Sequence, residues 1–489
     1  MSGRVIILGA GMAGLAAALT LGKRGFDVTV IERDAAPPPL SIDEVFAQWE
    51  RKGATQLRHS HVFLGRLCSI LRAEHPELLS ALKEAGAREI PFSESLPSTL
   101  RDLNVPEAGD AEMTFLFSRR TTLEYVMRAH AAEHGNAGFL SATGAIGLCF
   151  AEGEKPLRVT GVRVRDDAGE RVIACDTLID ATGRVSPVID WLRAAGATIA
   201  EEQSPAGILY YTRHYALHPG ASEPERDKTA SAGDLGYLKF GVFPGDNGRF
   251  SVTLAVPEIE TGLRKIVSEP GTFDRICNAL PGVRRWLEPS RSAPVSKVFS
   301  MGNLANVWRH FSREGVPEIL GYFPVGDAAM RTNPLYGRGC TISYVSASIL
   351  GRVLSGMTDP AARLLAYERQ MHTELHPFFL SMARLDAMAI RRARNELDPA
   401  FRPRLRARLV RHFAENGVVP ATRGSLQVLR AFMRGFHMHE PPEKFLRRPA
   451  VLLRVLAMWA TPRFLKQRFY PPWLGPGRSD MLALLTAKG

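Results

Sequence analysis

The sequence predicts an α/β fold: a doubly wound opening domain, an inserted β-sheet domain and a helical C-terminal segment. Three observations lead there. An apolar strand, Arg4 to Leu8, runs into Gly9-Ala10-Gly11-Met12-Ala13-Gly14, followed by an alanine- and leucine-rich helix and a second strand, Val28 to Ile31. The middle of the chain alternates apolar and polar residues in short runs separated by glycine- and aspartate-containing turns. Beyond Asp359 only helical patterns and loops rich in Arg and Leu remain.

Each part of the opening unit has a physical job. Gly9 permits the tight turn, Gly11 lets a pyrophosphate reach the backbone, and Gly14 lets the helix pack on the strand. Met12 and Ala13 begin the helix, whose N-terminus offers free N–H groups to phosphate. Glu32, 18 residues past Gly14 and followed by Arg33, stands where a carboxylate accepts ribose hydroxyls. The unit is Rossmann-like.

Further along, the spacing predicts helices over His61 to Glu74 and Glu77 to Gly86, and a helix capped by Thr121 or Thr122 that runs to about His134. A hairpin is expected over residues 157–180, turning at Asp166-Asp167-Ala168-Gly169. Strands are expected over Leu209 to Tyr215, Leu238 to Phe243 and Phe250 to Val256, and a buried strand over Gly321 to Gly326. The expected domains are 1–185 with 300–358, then 186–299 with a contribution from 71–118, then 359–489.

Composition narrows the class. A hydrophobic fraction of 45% suits a globular protein, and 489 residues suit two or three domains. No export signal precedes the first strand, and no apolar run reaches the ~20 residues of a membrane span. The longest C-terminal stretch, Ala450 to Ala460, carries Arg454. A cytoplasmic protein, with a peripheral membrane association as an option, is expected. Five scattered cysteines read as free thiols, and no Cys/His spacing suggests a metal.

Two later motifs specify the nucleotide. Ile179-Asp180-Ala181-Thr182-Gly183-Arg184 closes one strand. Tyr322-Phe323-Pro324-Val325-Gly326-Asp327 closes another and leads into Asn333-Pro334-Leu335-Tyr336-Gly337-Arg338-Gly339. With Arg120-Thr121-Thr122-Leu123-Glu124, these motifs make residues 1 to about 360 resemble the FAD-dependent monooxygenases of the p-hydroxybenzoate hydroxylase type. That group includes squalene and polyether epoxidases and, more distantly, halogenases and geranylgeranyl reductases, all with a glutathione-reductase-like FAD domain.

The resemblance implies roles. Gly9, Gly11 and Gly14 would line the pyrophosphate and Glu32 would bind its ribose. Arg120 would lie near the ribityl and phosphate groups. Asp180 to Gly183 would line the adenine-side crevice. Asp327, beside Gly326, would accept from a ribityl hydroxyl. Pro334, Gly337 and Gly339 would form the loop at the isoalloxazine edge, with donors that stabilise reduced flavin. The reaction implied is insertion of one oxygen atom from O2 into an apolar substrate through a flavin C4a-hydroperoxide, by epoxidation or hydroxylation. NAD(P)H is the implied reductant, directly or through a separate flavin reductase. The middle motif reads Asp-Ala-Thr-Gly-Arg where aromatic hydroxylases carry Asp-Gly, which favours the separate reductase.

The alternatives are a reductase or desaturase of isoprenoid or lipid chains, a halogenase, and a flavoprotein scaffold. The halogenase W-x-W-x-I-P signature is absent; the nearest stretch is Tyr237-Leu238-Lys239-Phe240-Gly241-Val242-Phe243-Pro244. His59 and His61, in Gln56-Leu57-Arg58-His59-Ser60-His61, are the candidates for binding substrate or steering a proton. Arg338, between two loop glycines, is the candidate contact to flavin or an anionic group. Among Tyr210, Tyr211, Tyr215, Phe240 and Phe243, the residues expected to line the substrate pocket are Tyr211, Phe240 and Phe243.

Charge is uneven. From Leu380 to Gly489, 21 Lys and Arg face 7 Asp and Glu, a surplus of 14 against a net charge of +12 for the chain. Arg runs interleaved with Trp, Phe and Leu fit an anionic membrane surface, an acidic carrier protein or coenzyme A, or a helical lid. No nucleic-acid recognition motif accompanies them.

Overall fold

The computed structural model describes residues 3–225, 229–398 and 400–486. Strand β1 (Arg4–Leu8) enters the glycine turn, helix α1 (Met12–Gly22) follows, and β2 (Asp27–Ile31) lies parallel to β1. Helix α2 (Arg120–His134) leads into β3 (Ala137–Leu140), which extends the sheet beside β2. On the other side β1 pairs in parallel with β4 (Thr177–Asp180). All four interior residues of β1 are buried, as a sheet covered on both faces requires. Alanines 16, 17 and 18 of α1 are also fully buried, because only small residues let a helix lie so close to its neighbours.

A second, six-stranded antiparallel sheet is built on β5 (Ile208–Leu217), β6 (Lys239–Pro244) and β7 (Arg249–Pro257). In β5 alternate side chains point to opposite faces. Tyr211 and Tyr215 join an outer cluster with Phe240 and Leu254, while Tyr210 joins Ile208 and Leu335 on the inner face. The chain then returns to the first sheet as β8 (Tyr322–Pro324), giving the parallel order β8-β4-β1-β2-β3. The hairpin expected over 157–180 is present, turning between Asp166 and Gly169.

Helix α3 (Gly339–Gly356) starts at the glycine-rich loop and packs on α1. Helix α4 (Pro360–Leu397) runs 38 residues and touches every layer. Its Tyr367 hydroxyl donates to the Pro324 carbonyl (2.6 Å) in the first domain, and its Arg392 pairs with Asp234 (3.2 Å) of the second sheet. Helices α5 (Leu405–Phe413), α6 (Leu426–Phe436) and α7 (Pro449–Ala460) form a small bundle. The bundle is anchored by Arg430 of α6 on Asp110 (2.8 Å). Helix α8 (Arg478–Thr486) returns to the second sheet, where Met481 and Leu485 enter its outer cluster and Arg478 pairs with Glu260 (2.5 Å).

Several expectations change. Residues 71–84 and 187–194 belong by packing to the first domain, since Leu71, Leu78, Leu82, Val188 and Leu192 are buried in its core. The helix expected from His61 begins at Gly65, because Phe63 pairs as an isolated bridge with Leu116. Neither threonine caps α2. Asp246, from the β6–β7 turn, accepts from the backbone N–H of Arg119 (2.7 Å), the residue preceding the helix, and the threonine side chains turn inward.

Candidate active site

The glycine turn is shaped by contacts that only glycine allows. Gly9 has φ +100°, and a Cβ there would stand 2.7 Å from the Ala181 carbonyl oxygen. A Cβ on Gly14 would stand 1.8 Å from the Gly9 oxygen. Around Gly11, by contrast, there is open space, and as the N-cap of α1 it has no side chain to satisfy the first amides. The result is an uncapped helix N-terminus with an open approach, an anion cradle. Met12 is buried beneath it, and Ala13 reaches Gly326, whose own Cβ would meet Ala13 Cβ at 2.7 Å.

Glu32 is buried at the end of β2. One oxygen accepts from the Ala10 amide (2.7 Å) and from Arg51 (2.6 Å), and the other accepts from the Asp34 amide (3.0 Å). Arg51 also reaches Glu124 of α2 (2.9 Å), which in turn holds Arg120 (2.6 Å). A ribose hydroxyl at Glu32 would therefore share oxygens that already have donors. Arg51 and Glu124 were not singled out from sequence, because the pairing joins residues 73 apart in the chain. Arg33 is exposed.

Asp180 does not line a crevice as expected. It is fully buried and accepts from the Thr182 amide (2.9 Å) and hydroxyl (2.6 Å), from Ser186 (2.6 Å) and from Tyr322 (2.9 Å). Its four donors make it an internal knot that holds the strand end and leave Gly183, at φ +83°, as the turn residue.

Asp327 has no side-chain hydrogen-bond partner among the described residues. Burial pushes its carboxyl above the ordinary value, against the pull of Arg120, Arg184, Arg331 and Arg309. Arg338 is only 5% exposed, and its Nε and Nη1 have no partner. Desolvation lowers it to about 10, and the guanidinium stands over the rings of Phe378 (5.4 Å) and Tyr336 (5.8 Å). A half-buried acceptor and a buried donor left open, together with a bare helix terminus, fit a polyhydroxylated, anionic cofactor. Gly337, at φ +65°, lies close to Val62, and Pro334 is exposed at the start of the loop. Gly339 opens α3 with nothing near its Cβ position.

Val62 brings the histidine segment to this loop. His61 Nδ1 donates to the His59 carbonyl (2.8 Å), which leaves Nε2 toward Arg120 (3.4 Å). His59 Nδ1 meets Thr212 (3.0 Å) on the inner face of β5. Ser60 hydrogen-bonds Ser251 and Thr253, both at 2.7 Å. His214, two residues past Thr212, donates from Nε2 to the Arg58 carbonyl (2.9 Å). Burial lowers His59 and His214 to about 4 and His61 to about 3, so all three imidazoles are neutral at pH 7. Arg119 and Asp246, bonded through Nε at 2.9 Å, close the rim. The space among His59, His61, His214 and Phe243 is about 10 Å³. A larger cavity of about 410 Å³ lies between the strand at 305–310 and α4, and none of these residues lines it.

Of the predicted pocket residues, Phe243 is on the inner face. Tyr211 and Phe240 are not: they face the outer cluster, where the Tyr211 hydroxyl donates to the Arg264 carbonyl (3.2 Å). The period of two decides this, and the inner tyrosine is Tyr210. Its hydroxyl donates to Asn333, and Asp386 of α4 joins the same network. Asp386 accepts from Asn333 (2.7 Å), Asn306 (2.8 Å) and Tyr336 (2.9 Å). A lone aspartate in an Arg-rich helix gave no signal in the sequence. Among the described residues no cluster of side chains suits a metal ion, and no helix is long and apolar enough to cross a membrane.

Residues 4–39 match the FAD dependent oxidoreductase family model. The chain is 26% identical to protein Rv3254 of Mycobacterium tuberculosis over 394 residues, covering 75% of this chain and 78% of that protein. It is 25% identical to kynurenine 3-monooxygenase of Salinispora tropica over 406 residues, 76% and 77% of the two. The solved structure of CmlS, a flavin-dependent halogenase, superposes with a TM-score of 0.60 at 17% identity, covering 94% of this chain and 78% of that one. The glycine cradle, the open Asp327 and Arg338 and the match over residues 4–39 agree on an FAD-dependent oxidoreductase, whose fold is like that of flavin-dependent monooxygenases and halogenases.

Proposed function

We propose that the chain inserts one oxygen atom from O2 into an apolar substrate, by alkene epoxidation ahead of hydroxylation. The observation that carries this reading is the row of buried neutral imidazoles and hydroxyls on the inner face of the second sheet, which Val62 brings to the Gly337 loop. Its imidazoles titrate at about 3 to 4, and its hydroxyls are spent on one another. The neighbouring Cys340 thiol is pushed up to about 11 by burial, so it is no nucleophile at neutral pH. Bound FAD supplies the redox and oxygen-activating chemistry. The chain's residues bind and orient it and keep water away. The amides at the start of α1 would hold the pyrophosphate, Asp327 would accept from the ribityl chain, and Arg338 would supply a positive charge to the reduced flavin. His61 presents an Nε2 lone pair that is too weakly basic to remove a phenolic proton, which favours a substrate that needs no base.

A second reading, halogenation, draws support from the likeness to CmlS, which extends over 94% of this chain and so into the C-terminal region. One experiment separates the readings. Reduced enzyme is supplied with ¹⁸O2 and a panel of apolar alkenes and arenes, with and without chloride and bromide. The monooxygenase reading expects one labelled oxygen in the product and no halide requirement. Product that forms only with halide and carries no label supports halogenation. Turnover without O2 overturns both in favour of a reductase or desaturase.

A further inference from the structure

Helix α7 breaks a rule of soluble packing. It has a single charged residue, Arg454, in 12, yet only Val451 and Val455 are buried. A helix this apolar is ordinarily enclosed on all sides. Here Leu453 is 66% exposed, and Leu456 and Trp459 also face outward. On a helical wheel Leu453 falls opposite the buried valines with Leu456 beside it, and Trp459 stands at the edge of the exposed arc, next to Val455. Four residues past the helix end, Phe464 is 75% exposed, with Leu465 beside it.

Helix α5 repeats the pattern independently. None of its residues is buried, and Leu405, 69% exposed, lies one turn from Leu409. Arg406, Arg408 and Arg411 stand between the apolar residues. The two helices meet at their C-terminal ends, where Trp459 Nε1 donates to His412 (3.0 Å) and Phe413 packs edge-on against the same indole. Between Glu443 and Asp480 there are eight Lys and Arg and no acidic residue. Some of these are spent inside the fold: Arg448 pairs with Glu440, and Lys466 is buried on the Asn416 and Met458 carbonyls. Arg447, Arg454, Arg463 and Arg468 are exposed around the apolar residues.

We infer that the α5–α7 face docks on an anionic lipid bilayer, with Leu453, Trp459 and Phe464 entering the interface and the arginines on lipid headgroups. The alternation of basic and apolar residues is the pattern such a surface selects. A second copy of the chain would bring the same positive charge to the contact, which opposes self-association through this face.

The test uses the full-length FAD-loaded protein and sedimentation with vesicles of phosphatidylcholine, alone or mixed with phosphatidylglycerol. Binding is expected with the anionic vesicles. It should be about tenfold or more weaker with phosphatidylcholine alone and in high salt. Phe464→Glu with Leu465→Glu should lose at least about tenfold in binding while the flavin content stays unchanged. Arg406→Gln with Arg408→Gln should lose the preference for the anionic lipid. Absence of binding to anionic vesicles, or binding unchanged in both variants, overturns the inference. So does self-association or capture by an acidic protein without vesicle binding.

Discussion

Arg338 keeps a positive charge where water is nearly gone, with two nitrogens lacking acceptors. Such a group is costly unless a bound anion or a developing negative charge answers it. Arg338→Met is therefore expected to retain FAD but to lower kcat/KM by roughly 10²-fold, the effect of losing one preorganised donor. It should also move the flavin midpoint potential to more negative values, with Arg338→Lys falling between; an unchanged potential would contradict the assignment. Asp386 is the reverse case, a buried carboxylate with three donors. Replacing it with Ala strands two amides and a hydroxyl, and unfolding by urea should show a loss of about 2–4 kcal/mol. Gly14→Ala is expected to abolish FAD retention, because its Cβ has no room against the Gly9 carbonyl.

Elements show which of these residues the sequence could disclose. The glycine turn was legible because backbone approach itself demands glycine at fixed spacing. Gly9 and Gly14 stand in the close backbone contacts that their spacing predicts, and Gly326 and Asp327 follow just after β8. The sheet face was not, because β5 carries tyrosines at both 210 and 211 and only tertiary packing tells inside from outside. Tyr210→Phe removes the donor to Asn333 in the flavin-side loop, and should change KM or the flavin spectrum along with about 1 kcal/mol of stability. Tyr211→Phe should cost a similar amount with steady-state kinetics unchanged; equal kinetic effects would mean the faces are wrongly assigned. Arg51 and Asp386 escaped notice for a different reason. Their partners are distant in sequence, and nothing in their own neighbourhood marks them.

Across the whole molecule, buried imidazoles set the response to acid. His59, His75 and His214 are lowered to about 4, and His61 and His437 to about 3, chiefly by burial. In the unfolded chain they titrate near 6.5. Between those values the unfolded state binds protons that the folded state refuses. Stability from this source is complete above about pH 6.5 and declines as pH falls toward 4. Thermal scans should show Tm dropping steadily over that window. A flat profile from pH 7 to 4.5 would mean these histidines are hydrated or paired.

The length of α4 also decides where the enzyme can be cut. The sequence motifs of the flavin framework end near residue 360, which invites a view of the last 130 residues as an appendage. Asp386 lies beyond that point and grips Asn333 and Tyr336 of the loop proposed to border the flavin. A protease that nicks the chain after α4 should leave a yellow protein. One that nicks it between α3 and α4 should release the colour, although every residue of the glycine motifs survives.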